Sequence, residues 1–178
     1  MAGHREHVRT GFLFYGAFLV AALGAWLYGR EEYFGWTWHL LPFGDTRWAS
    51  ASGFVLCFLI AVLASLWPDV DIKSVGQVLF YRLFFLVDAA LVALFFLRGD
   101  RRYLLGAAFL GLLAMLPLVG KHRGWTHSRA AMVLVPAPAV FAPMLLAQQV
   151  TWVGLPFYVA AFLGYASHLY RDGRLLRR

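Results

Sequence analysis

Six stretches of this chain are apolar for long enough to cross a hydrocarbon core as helices, and nothing else in the sequence constrains the fold as strongly. They are TGFLFYGAFLVAALGAWLYG from Thr10, ASGFVLCFLIAVLASLW ending at Trp67, and QVLFYRLFFLVDAALVALFFL from Gln77. YLLGAAFLGLLAMLPLVG then ends at Gly120, AAMVLVPAPAVFAPMLLAQQ starts at Ala130, and TWVGLPFYVAAFLGYASHLY closes the set. A membrane span needs roughly 20 residues as a helix. Backbone polar groups in lipid must be satisfied within the segment, so helix is the form these runs must take. Composition agrees: 61% of the 178 residues are hydrophobic and 14% charged, too little charge to cover a soluble globule. The expected fold is all-α, a single domain over 1–178 built as a polytopic bundle of about six transmembrane helices.

The first run is longer than a signal peptide core and is followed directly by Arg30, Glu31 and Glu32 with no small-residue cleavage site, so it reads as a span. The lone cysteine, Cys57, lies inside the second run and reads as a small buried hydrophobe. The longest polar stretch, 30–48, carries three tryptophans, which suits the headgroup level. Prolines 136, 138 and 143 crowd the fifth run and predict a kinked or broken helix.

Six spans put both termini on one side, and eleven of the sixteen Lys and Arg residues fall there. The positive-inside bias then makes that side cytoplasmic, with the chain a multi-pass protein of the plasma membrane. The net charge of +7 is accounted for by this bias and by anionic headgroups, and calls for no nucleic-acid partner.

Four polar motifs fall on this same face. HREH, with His4 and His7, precedes the first span, and PDVD, with Asp69 and Asp71, follows the second. KHRGWTHS joins the fourth to the fifth and brings His122, Arg123, Thr126, His127 and Ser128. SHLYRD ends the sixth, with His168 and Asp172 at i and i+4 on one helix face. Imidazole and carboxylate are the usual ligands of zinc and similar ions. The guanidinium of Arg123 can hold phosphate oxygens as a planar fork, and Thr126 or Ser128 can orient a ligand or cap the fifth helix. Each motif alone is also what a solvated cap, a basic interfacial loop or a helix-end ion pair looks like. Together they supply enough ligands on one face for two or more metal ions. Arg82 and Asp88, inside the third span, are costly in lipid and are expected to face the bundle, Arg82 as the better candidate for touching substrate.

In order and separation, PDVD, KHRGWTHS and GYASHLYRD resemble the YdjM-type (LexA-regulated) membrane-bound metal-dependent hydrolases, remotely similar to zinc-dependent phospholipases C and fungal single-strand nucleases. The likeness runs from His7 to Asp172, and its most specific element is the HRGxTHS core. It implies His7, Asp69, Asp71, His122, His127, His168 and Asp172 as metal ligands, zinc first and manganese as the alternative. Ile72 stands where many members have a histidine after the DxD, which leaves the number of ions open. Membrane lipid phosphatases that also carry HxxxD need an upstream PSGH-like motif, and this chain has none.

The expected function is a metal-dependent hydrolase cleaving a phosphoester in a lipid at the cytoplasmic membrane face. Asp69, Asp71 and Arg123 are its catalytic candidates, and Arg82, Arg123, Thr126 and Ser128 its substrate contacts. The partners are the bilayer and a lipid phosphate; the sequence says nothing of oligomeric state. The rival class is a membrane protein without enzymatic activity: a proton-coupled transporter, or one that binds haem or metal for structure.

Overall fold

A computed structural model describes residues 4–28, 47–70, 75–116, 124–147 and 149–175. Among the described residues the apolar runs are mainly helical and no strand occurs. The helices are α1 (His4–Tyr28), α2 (Arg47–Leu66), α3 (Val75–Arg98), α4 (Arg101–Met115), α5 (Arg129–Leu134), α6 (Pro138–Ala147) and α7 (Leu155–Arg171), with short 3-10 turns at Trp67–Asp69 and Trp125–His127. Prolines account for the division between α5 and α6. Pro136 lies in the turn between them and Pro138 opens α6; neither ring nitrogen can donate to a preceding carbonyl, and two such gaps two residues apart break the helix here, whereas α6 accommodates Pro143 alone.

Helices α1, α2 and α7 pack together, and α3 with α4 makes a hairpin beside them. The α2–α7 contact is close because position 164 is glycine. A Cβ there would lie 2.1 Å from the carbonyl oxygen of Ala61, so no larger residue fits without moving backbone. Two apolar clusters fill the interior. One gathers Tyr15, Leu19, Cys57, Ala61 and Ala160 between α1, α2 and α7. The other gathers Trp67, Val70, Phe80, Met132, Tyr165 and Leu169 beneath the two 3-10 turns. Trp67 Nε1 donates to the Leu113 carbonyl and the Tyr81 hydroxyl to that of Ala114, tying the end of α4 to this second cluster.

Among the described residues, two helices are long and apolar enough to cross a membrane, Arg5–Gly24 within α1 and Gln77–Arg98 within α3. The apolar stretches Gly53–Asp69 and Arg129–Phe141 are shorter. In α3 only 6% of the most apolar window is buried, unlike the mostly buried core helix of a soluble protein. Its outward face carries bare Phe85, Phe96 and Leu97, an exposed apolar patch of the kind that marks a membrane or protein contact.

The expectation for Arg82 is corrected here. Its side chain is exposed rather than turned into the bundle. It sits about two turns from the start of α3, where a long side chain can carry its charge along the helix toward the polar zone. Asp88 is half-buried, and its Oδ1 has no hydrogen-bond partner among the described residues.

Candidate metal centre

Three local structures deliver the polar side chains to one end of the bundle. Where α2 stops, Trp67 and Pro68 are buried and the chain makes a single 3-10 turn, closed by the Val70 amide donating to the Trp67 carbonyl at 3.2 Å. Proline presets the φ of such a turn, and Asp69 follows at its edge. The second turn is closed by the His127 amide on the Gly124 carbonyl at 3.2 Å and the Ser128 amide on that of Trp125 at 3.0 Å. The Tyr165 hydroxyl of α7 donates to the Thr126 carbonyl and pins this turn to the bundle. At the end of α7, His168 and Asp172 share a face, and Gly173, at φ 66°, turns the chain away directly afterwards. Left-handed φ is cheap only for glycine.

The result is a four-residue cluster. One ligating atom each from Asp69, His127, His168 and Asp172 lies within 4.8 Å of every other. His127 Nε2 is 3.2 Å from Asp69 Oδ1, 3.3 Å from His168 Nε2 and 3.6 Å from Asp172 Oδ2. His168 Nε2 is 3.7 Å from Asp69 Oδ1 and 3.6 Å from Asp172 Oδ2. A tetrahedral ion with bonds of 2.0–2.2 Å separates its ligands by about 3.3–3.6 Å. The spacing and the donor set therefore fit a four-coordinate divalent ion.

Imidazole orientation fits as well. His168 Nδ1 lies 2.8 Å from the Ser65 carbonyl oxygen. A carbonyl only accepts, so Nδ1 carries a proton, and Nε2 is the nitrogen turned toward the cluster. His127 Nδ1 lies 3.2 Å from the Thr126 hydroxyl oxygen, which can accept from it in the same tautomer. A divalent cation bound here would take both imidazoles through Nε2 and offset the charge of the two carboxylates.

His7, on α1, completes the group. It is buried, stacks on the His168 ring with centroids 4.2 Å apart and planes 19° apart, and places Nε2 3.8 Å from Asp69 Oδ2. Asp69 thus presents Oδ1 to His127 and His168 and Oδ2 to His7. An ion pair between Glu6 and Arg171 holds this end of α1 against α7.

The carboxylates are tuned toward the ionised form. Burial is the largest single influence on Asp69 and would raise its pKa, but the hydrogen bond with His127 and the charges of His168, His127 and His7 outweigh it and hold the carboxyl below its ordinary value. Asp172 is held down to about 2, first by its polar contact with His168, against burial and with help from the charges of His168, His7 and His127. The Asp69 side chain is 28% exposed and that of Asp172 9%, while His127 and His168 are enclosed, so the cluster meets its surroundings past Asp69.

Of the residues expected at the site, His7, Asp69, His127, His168 and Asp172 come together. Asp71, His122 and Arg123 lie outside the described residues. Thr126 is buried behind His127, and the Ser128 hydroxyl accepts from the Ala131 amide at 3.0 Å and caps α5. Both hydroxyls therefore position protein groups, and a contact with substrate finds no support in their placement. No hydrogen bond or ion pair joins Arg82 to the cluster among the described residues. Two contributors carry no side-chain signal that spacing could reveal. The Ser65 carbonyl is backbone, and Tyr165 was legible only as the residue one turn before His168 on α7. Compared with models of known protein families, with curated proteins and with solved structures, the chain gives no match, so the family likeness rests on the motifs alone.

Proposed function

We propose that this protein is a multi-pass membrane hydrolase, with six spans and both termini cytoplasmic, which uses a metal held at the cluster to cleave a phosphoester in a membrane lipid. The observation that carries the reading is the convergence of Asp69, His127, His168 and Asp172, from three motifs far apart in sequence, with ligand spacings near those of a tetrahedral site. Two imidazoles beside two carboxylates favour zinc, with manganese as the alternative. His7 beside Oδ2 of Asp69 would supply ligands to a second ion; Asp71 and His122, further ligands by the family resemblance, lie outside the described residues.

A bound ion of this class activates water near neutral pH and offsets charge growing on phosphoryl oxygens. The chain's own groups do the rest. With metal bound, the Ser65 carbonyl and Thr126 hydroxyl would accept the Nδ1 protons of His168 and His127 and leave each Nε2 to ligate. Asp69, the most open member, would orient the attacking water or accept its proton. Arg123 would clamp a phosphoryl oxygen bidentately. The haem reading is disfavoured by distance, because imidazole nitrogens 3.3 Å apart leave no room for a macrocycle between them. A proton pathway would need polar groups through the bundle, and Asp88 is the one acid inside the third span.

The test is turnover by metal-loaded protein on a panel of phospholipids and polyprenyl phosphates. Asp69→Asn and His127→Ala should abolish it in folded protein. Arg123→Lys should reduce turnover far more than metal content. A metal-loaded protein inert across the panel, or unimpaired Asp69→Asn and His127→Ala variants, would end the proposal.

A further inference from the structure

Beside the cluster lies a cavity of about 390 Å³ between α2, α3, α4, the α5–α6 turn, α6 and α7. Ile60, Trp67, Phe80, Phe109, Ala161 and Tyr165 are among its walls. Two of its lining side chains carry a polar atom, and both are engaged elsewhere: Trp67 Nε1 on the Leu113 carbonyl and the Tyr165 hydroxyl on that of Thr126. An ordered water needs two to four polar partners, and these walls offer it none from a side chain. The space therefore suits an apolar occupant.

Its position relates it to the candidate metal centre. Trp67 is two residues before Asp69, and Tyr165 is one helical turn before His168. The hydroxyl of Tyr165 also holds the turn that carries His127. From these two residues the cavity runs back to Ile60 on α2 and Phe157 on α7, about 12 Å along the helix axes at 1.5 Å per residue. An apolar cavity of 150 Å³ accepts a benzene ring, so by proportion this one accommodates roughly fifteen carbons.

We infer that the cavity is the binding site for one hydrocarbon chain of the substrate, an acyl or alkyl chain of about fifteen carbons whose phosphate end lies at the Asp69–His127–His168–Asp172 cluster. This rests on the lipid phosphoester reading above and narrows it, since a long polyprenyl chain would overflow the space. It makes the enzyme selective for chain length as well as for the headgroup.

The experiment uses full-length, zinc-loaded protein in nanodiscs and n-alkyl phosphates of 8 to 20 carbons bearing a terminal diazirine. After photolysis, labelled peptides are mapped by mass spectrometry, with unlabelled alkyl phosphates as competitors. Probes of about 14–16 carbons should label the Ile60 or Phe157 end of the cavity most efficiently, and shorter ones the Trp67 end. Ala161→Phe should lower labelling by the 16-carbon probe about tenfold, equivalent to losing burial of two methylenes, and shift the best competitor to shorter chains. Phe109→Ala should shift it to longer chains, and decides the matter if Ala161→Phe does not fold. Labelling spread over the outward face of α3, without a length optimum and indifferent to both substitutions, would overturn the inference. Cavity labelling in a protein that cleaves no phosphoester would leave this site standing and remove the hydrolase; cleavage with no chain-length discrimination would do the reverse.

Discussion

The Nε2 atoms of His127 and His168 face each other at 3.3 Å. With its Nδ1 proton donated to the Ser65 carbonyl, His168 offers a lone pair here, and His127 does the same when its Nδ1 proton goes to Thr126. Two lone pairs at this distance repel unless a proton or a cation lies between them. Two carboxylates complete the group, so a cation bound between the rings would find four ligating atoms around it.

Supporting groups should matter without touching metal. Thr126→Val removes the hydroxyl behind His127 and should weaken metal affinity by roughly 10- to 100-fold, as loss of such partners does elsewhere. Thr126→Ser should retain it. Ser128→Ala should instead cost about 1 kcal/mol of stability through the lost helix cap, with metal affinity unchanged. Competition titration with a chromogenic chelator and thermal melts separate the two effects, and equal metal loss in Ser128→Ala would refute the division.

Acid should act in two stages. The pKa of Asp172 is depressed to about 2 and that of Asp69 lowered. A depressed carboxyl contributes stability that is fully present above its unfolded pKa, about 3.9, and is lost as pH falls through the folded value. The carboxylates therefore stay ionised at pH 5, so metal release between pH 7 and 5 would not come from their protonation. Metal content should fall reversibly over that range, while the thermal midpoint of metal-free protein should drop mainly between pH 4 and 2. A metal-free midpoint that collapses above pH 5 would contradict this order.

Packing at the α2–α7 crossing gives a third expectation. Gly164→Ala drives a Cβ onto the Ala61 carbonyl oxygen, 2.1 Å away, and should destabilise the protein by about 1–3 kcal/mol, the usual range for overpacking. Gly16→Ala, with nothing within 4 Å of the added carbon, should change little. Melting both variants in the same detergent checks the contrast, and a neutral Gly164→Ala would show that the crossing is looser than described.

Much of this site could be read from sequence because its parts obey short rules. His168 and Asp172 are four apart on a helix, Asp69 follows a proline at a helix end, and His127 sits just before a serine that caps the next helix. The broken fifth segment was equally legible, since Pro136 and Pro138 allow no continuous helix. The orientation of Arg82 was not. Helix α3 is apolar on nearly every side, so its sequence carries no stripe to tell which face turns inward. The Ser65 carbonyl was invisible for another reason, as every residue has one and only the fold selects it. Topology stands between these cases. The apolar runs locate helices, while two of them, in α1 and α3, reach spanning length in the described residues.

The most direct measurement is elemental analysis of protein purified without chelators, wild type beside His127→Ala, His168→Ala and Arg82→Ala. The account predicts at least one zinc or manganese per chain in the wild type and in Arg82→Ala, and loss of that metal in both histidine variants while their helical circular dichroism is retained. A wild-type protein that is folded, helical and free of metal after incubation with zinc would contradict it.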